Sequence, residues 1–185
     1  MKPLIKMTGE MGFNEVFFDD AIIPDSLRLD DVGKGWAVAM TTLTFERGAG
    51  EGAGGSMSES DPIGRLVALA ESSFRNGKSA AQDPVIRDAI VQQAITYEAL
   101  LTSSRLAIVP ALNDHPMRLP LQQKVTSSEF QQENARLGVD IAGARSTLYK
   151  LDRAAPDKGH WPLAYMNSYG FTISCLLYTS DAADE

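Results

Sequence analysis

Residues 83–101 read Asp-Pro-Val-Ile-Arg-Asp-Ala-Ile-Val-Gln-Gln-Ala-Ile-Thr-Tyr-Glu-Ala-Leu-Leu. Asp83 before Pro84 is a helix start. The carboxylate can accept from amides that have no partner in the first turn, and proline there presets φ and has no N–H to lose. Ile86, Ile90, Ala94, Tyr97 and Leu101 then step by four, four, three and four residues. That is the period of an α-helix with one apolar face, and it predicts a long amphipathic helix running toward Pro110.

The same signals recur on both sides. Asp61-Pro62 opens a helix whose stripe is Ile63, Leu66, Val67 and Ala70, with a stop expected near Asn76-Gly77. Beyond Pro116 and Pro120, a further helix carries Phe130, Leu137, Ile141, Ala144 and Leu148 on one face. From Gly35, the residues Trp36, Ala37, Met40, Leu43 and Phe45 lead into Glu46-Arg47 with a helical period. Residues 48–55 then hold five glycines, which would interrupt any helix and read as a connector. Residues 1–32 differ from all of this. Phe13, Val16, Phe17, Phe18, Ile22 and Ile23 sit among Gly12, Asn14, Asp19, Asp20, Pro24 and Asp25, the signature of one or two short strands. Two strands do not make a stable sheet alone.

The expected fold is therefore mainly α, an up-and-down helical bundle with a short N-terminal β remnant. The partition is 1–32 for the β segment, 33–173 for the bundle and 174–185 for a tail that matches neither.

Composition bounds the function. The chain has 185 residues, 44% of them hydrophobic and 22% charged, as a globular domain has and a disordered segment does not. Its net charge of -7 argues against a nucleic-acid partner and against a polybasic membrane anchor. No apolar run approaches the ~20 residues of a membrane span. One cysteine, Cys175, leaves no internal disulfide, which fits a reducing compartment and a cytoplasmic location.

Few residues carry chemistry by their spacing. His115 and His160 stand far apart, neither in a metal-binding arrangement, and both read as loop residues. Cys175 has no neighbouring base and reads as inert packing. The glycine run follows a helix rather than a strand and contains Glu51, so it is a poor phosphate cradle. Glu46-Arg47 leaves two readings open. It is a solvated helix face, or it stands at the edge of a partly dry space in which a carboxylate's pKa rises toward that of a general base.

Motifs in fixed order decide more. Met7-Thr8-Gly9, Phe13-Asn14-Glu15-Val16-Phe17-Phe18-Asp19-Asp20, Ile23-Pro24, Gly33-Lys34-Gly35-Trp36 and Phe45-Glu46-Arg47 together resemble the acyl-CoA dehydrogenase family, at the join of its middle β domain and C-terminal helical domain. Asp83-Pro84-Val85-Ile86-Arg87, Ser128-Glu129-Phe130 and Gly159-His160-Trp161 resemble the bundle that follows.

The resemblance implies FAD-dependent oxidation of a fatty acyl-CoA to the trans-2-enoyl thioester, with electrons passed to an electron-transfer flavoprotein. It also implies a homo-oligomer, dimer or tetramer. It places the catalytic base at Glu46, with Arg47 beside the reaction centre and the thioester. Thr44 stands where many relatives have an Asp that touches the pantetheine arm. The family's Arg-x-x-Phe-Gly motif is absent from residues 74–92. A full member is about twice this length, so the chain is expected to be a fragment, with Ser174 to Glu185 a non-native scar and little or no FAD bound by the piece alone. Two rival readings remain: a non-enzymatic helical oligomerisation module, and an acyl-CoA oxidase-like or flavin monooxygenase-like relative.

Overall fold

The structure, a computed structural model, describes residues 2–46, 61–107, 109 and 119–173. The chain divides into two compact units, Met1–Gly55 and Ser56–Glu185.

In the first unit, strands β1 (Lys2–Ile5) and β2 (Met11–Glu15) form one antiparallel hairpin. Lys2 pairs with Glu15, Leu4 with Phe13 and Ile5 with Met11, so the register slips by a bulge between Leu4 and Ile5. The turn closes through Gly9, whose φ of +73° suits glycine. A 3-10 turn at Asp25–Leu27 follows, and helix α1 runs from Gly35 to Glu46. Its apolar residues are spread around the axis rather than gathered in a stripe, and Trp36 is 79% exposed. The periodicity correctly gives a helix here, but it does not give a buried face.

The second unit is the bundle. Helix α2 (Pro62–Ser72) starts where Asp61 Oδ1 accepts from the amides of Ile63 and Gly64, at 3.1 and 2.9 Å. Helix α3 (Pro84–Ala107) starts in the same way, with Val85 N donating to Asp83 Oδ1 at 2.9 Å. Helices α4 (Leu119–Ala142) and α5 (His160–Ile173) complete it. α4 packs against α2, α3 and α5, so it is the common wall of the core. Leu66, Leu69, Ala70, Ile86, Ile90, Leu137, Ile141 and Trp161 form one buried cluster there. The architecture is mainly helical with small strand pieces, as expected.

Four sequence expectations need correction. α2 stops at Ser72, because Asn76-Gly77 turns a small hairpin, β3 (Phe74–Arg75) with β4 (Lys78–Ser79). Asn76 at φ +49° and Gly77 at φ +77° supply the two left-handed residues that a two-residue hairpin turn demands. On α2 the buried position is Leu69 rather than Val67, which is 38% exposed. α4 ends at Ala142, and Ala144 lies in a 3-10 turn, Gly143–Thr147, with Leu148 just beyond. Gly143 at φ +59° breaks the helix there. Finally, His160 is no loop residue: it opens α5 and is half-buried.

Candidate functional site

The sequence places its site at the end of α1. The backbone carries Thr44 in the last turn of that helix and Glu46 as its final residue. The side chains of Thr44 and Glu46, and the whole of Arg47, lie outside the described residues, as do the glycines at 48–55, His115 and Cys175. What sets the direction of α1 is local. Asp30 at φ +65° and Gly33 at φ +87° reverse the chain, and Lys34 N donates to Asp31 O at 3.0 Å. Val38 N then donates to Lys34 O as the first helical bond, at 3.2 Å.

The second unit gathers charged groups that spacing alone did not bring together. Arg65 on α2 grips Asp157 with two bonds, Nε to Oδ2 at 2.6 Å and Nη2 to Oδ1 at 3.1 Å. Asp157 belongs to a tight turn, Pro156–Gly159, in which Asp157, Lys158 and Gly159 all have positive φ. His160 follows immediately, with its ring edge-on to Trp161 at 5.1 Å between centroids. Burial first, and the Arg65 charge second, push the His160 imidazole below its ordinary pKa, and Asp157 opposes them. On the outer face of α4, Arg136 bridges Glu133 and Asp140, and its hydrogen bonds hold the Glu133 carboxyl below the usual range. Tyr165 and Tyr169 share a hydroxyl hydrogen bond of 2.7 Å on α5. Arg65 and Asp157 are 92 positions apart, so no short motif could have announced the pair. Its bidentate geometry clamps the turn to α2, which is a structural task.

Among the described residues, no three His, Cys, Asp or Glu side chains converge as a metal site would require. No described helix is long and apolar enough to cross a membrane.

The chain thus holds a short β hairpin and a helix that ends on an acid in one unit, and a four-helix bundle in the other. The family described as acyl-CoA dehydrogenase, C-terminal domain, matches residues 33–173, and the chain belongs to that family. It is 34% identical over 176 residues to acyl-CoA dehydrogenase IpdE1 of Mycolicibacterium smegmatis, covering 94% of this chain and 41% of that protein. Against acyl-CoA dehydrogenase IpdE1 of Mycobacterium tuberculosis, identity is 40% over 148 residues, 77% of this chain and 35% of the relative. The chain thus spans well under half the length of these relatives. No solved structure matches it.

Family membership implies a flavin, and three described aromatic side chains near the family's β–α join do not enclose one. Phe17, Phe18 and Trp36, on either side of that join in sequence, are 69%, 81% and 79% exposed. An isoalloxazine ring needs enclosing walls to leave water, and these side chains supply none.

Proposed function

We propose that the whole protein to which this chain belongs is an acyl-CoA dehydrogenase in which Glu46 removes the α-proton of an acyl thioester. The product is the trans-2-enoyl thioester. The observation that carries this reading is the family match from residue 33 onward, together with Glu46 as the last residue of the helix that opens the matched region. Residues 1–32 are then the end of a β domain and 33–173 the helical domain.

The chemistry makes definite demands on these positions. A proton next to a thioester carbonyl is weakly acidic, so the base must be poised upward by a water-poor cleft and the developing enolate must be stabilised. Glu46 is the base, Arg47 lies at the thioester end, and Thr44 meets the arm of the coenzyme. A threonine hydroxyl both donates and accepts, so it offers the arm one contact of either kind where a carboxylate would only accept. FAD, when bound, would be the group that takes up the second hydrogen. An electron-transfer flavoprotein is the acceptor in this reading, and the enzyme works as a homo-oligomer.

Glu46→Gln in the full-length enzyme tests it. Exchange of the substrate α-proton with deuterated water should fall at least a hundredfold, the usual scale of a general base, while bound flavin stays at the wild-type level. Exchange that persists would assign the base elsewhere.

A further inference from the structure

Two polar side chains in the seam between α3 and α4 have no explanation in the proposed reaction. Gln93 on α3 and Asn134 on α4 are each 8% exposed. Each has a buried atom without a hydrogen-bond partner: Gln93 Oε1, an acceptor, and Asn134 Nδ2, a donor. Such orphans are costly, and native cores rarely keep them.

The register of the two helices brings them together. The Tyr97 ring stacks on Phe130 with centroids 5.5 Å apart. Gln123 Nε2 donates to Ser104 Oγ. Ser104 lies two turns beyond Tyr97 along α3, and Gln123 two turns before Phe130 along α4, so the helices run antiparallel in constant register. Continuing that register one turn the other way sets Gln93 level with Asn134. The next turns set Ile90 level with Leu137 and Ile86 level with Ile141, and all four belong to the one core cluster.

We infer that Gln93 and Asn134 form a buried amide pair, joined through one ordered water, that fixes the register of α3 against α4. The aliphatic layers below them would be buried about equally well if one helix slid by a turn. A donor facing an acceptor is satisfied in one register only, and slippage strands both. The acceptor and donor left unpartnered are complementary, which two unrelated buried amides need not be.

The test uses the 185-residue chain with Gln93→Leu, Asn134→Leu and the double variant, compared by urea unfolding. Each single change should lower the unfolding constant about tenfold or more, because it strands the other amide. The double variant should be at least tenfold more stable than the two singles predict; effects that combine independently, to within about twofold, overturn the pairing. A measurement on the unaltered chain stands beside this one. The Asn134 side-chain amide protons should be protected from exchange and show cross-relaxation with Gln93, and exchange as fast as that of an exposed amide overturns the pair. Register is read separately by thiol crosslinking in a Cys175→Ser background. Ser104→Cys should join Gln123→Cys at least tenfold faster than it joins Ser127→Cys. That preference should collapse when Gln93 and Asn134 are both leucine, and an unchanged preference would leave the pair without a role in register.

Discussion

The indole of Trp161 lies directly against the backbone of Gly138, so close that a Cβ added at 138 would overlap the Cδ2, Cε3 and Cζ3 atoms of the ring. Gly138 is on α4 and Trp161 on α5, the helix pair with the most extensive packing in the bundle. Trp161 is only 1% exposed. Glycine normally weakens a helix interior by about 1 kcal/mol relative to alanine. Here that cost is accepted because the missing methyl is the space the indole occupies.

Gly138→Ala should therefore destabilise the chain despite its better helix propensity. Overpacking costs about 1–3 kcal/mol, and a planar ring wedged against backbone cannot rotate away, which puts this site at the upper end. The matching change, Trp161→Ala, should cost about 3–5 kcal/mol through the cavity it leaves. Urea unfolding of the two variants checks both, and a Gly138→Ala chain as stable as the parent would contradict the contact.

His160 gives the bundle a pH dependence with a definite sign. Burial and Arg65 hold its folded-state pKa below the ordinary 6.5, so the folded chain resists taking up the proton that the unfolded chain accepts. Stability is then fully present above about pH 6.5 and is lost as pH falls through that value. The loss stops growing once pH is below the folded-state value, where both states are protonated. His160→Gln should flatten the change in urea midpoint between pH 8 and pH 5.5, and the same slope with and without the imidazole would assign the effect to another group.

What could be read in advance follows from how local each determinant is. Asp61-Pro62 and Asp83-Pro84 announce α2 and α3 because a cap is written within four consecutive residues, and the structure shows both carboxylates on the expected amides. Asn76-Gly77 reads as a helix stop from its neighbours, although the same dipeptide is a strong hairpin signal; strands of two residues are too short to show alternation. α5 is not legible as a helix because His160 to Ile173 is apolar on several sides, which leaves no stripe to count. Thr44, Glu46 and Arg47 are proposed from ordered motifs and not from geometry, since adjacent helix positions point about 100° apart and no periodicity singles out an acid at a helix end. The Arg65–Asp157 pair is not legible in the sequence, since it depends on how the turn before α5 docks on α2.

The exposure of Phe17, Phe18 and Trp36 leads to an expectation about the isolated chain. Purified as 185 residues, it should carry well under one flavin per chain even when refolded with excess FAD. Absorbance near 450 nm after gel filtration measures this, and a yellow stoichiometric complex would mean that these residues suffice to enclose the ring.

The turn before α5 offers a paired prediction in which neighbours with the same backbone sign respond oppositely. Lys158 has φ +56° and Gly159 φ +77°. A non-glycine residue in this region costs roughly 1–2 kcal/mol, and glycine's extra freedom in the unfolded chain costs about 0.5–1 kcal/mol. Lys158→Gly should thus be neutral to stabilising by up to about 1 kcal/mol, since Lys158 is exposed and little burial is lost with its side chain. Gly159 is buried, and a Cβ there would lie 2.6 Å from Lys150 N and 2.9 Å from Lys150 Cα. Those are backbone atoms that cannot swing aside, so Gly159→Ala should cost about 2 kcal/mol or more through strain and displaced backbone together. Urea midpoints of the two variants should move in opposite directions, and a shared direction would mean that the turn is not held as described by the Arg65–Asp157 clamp.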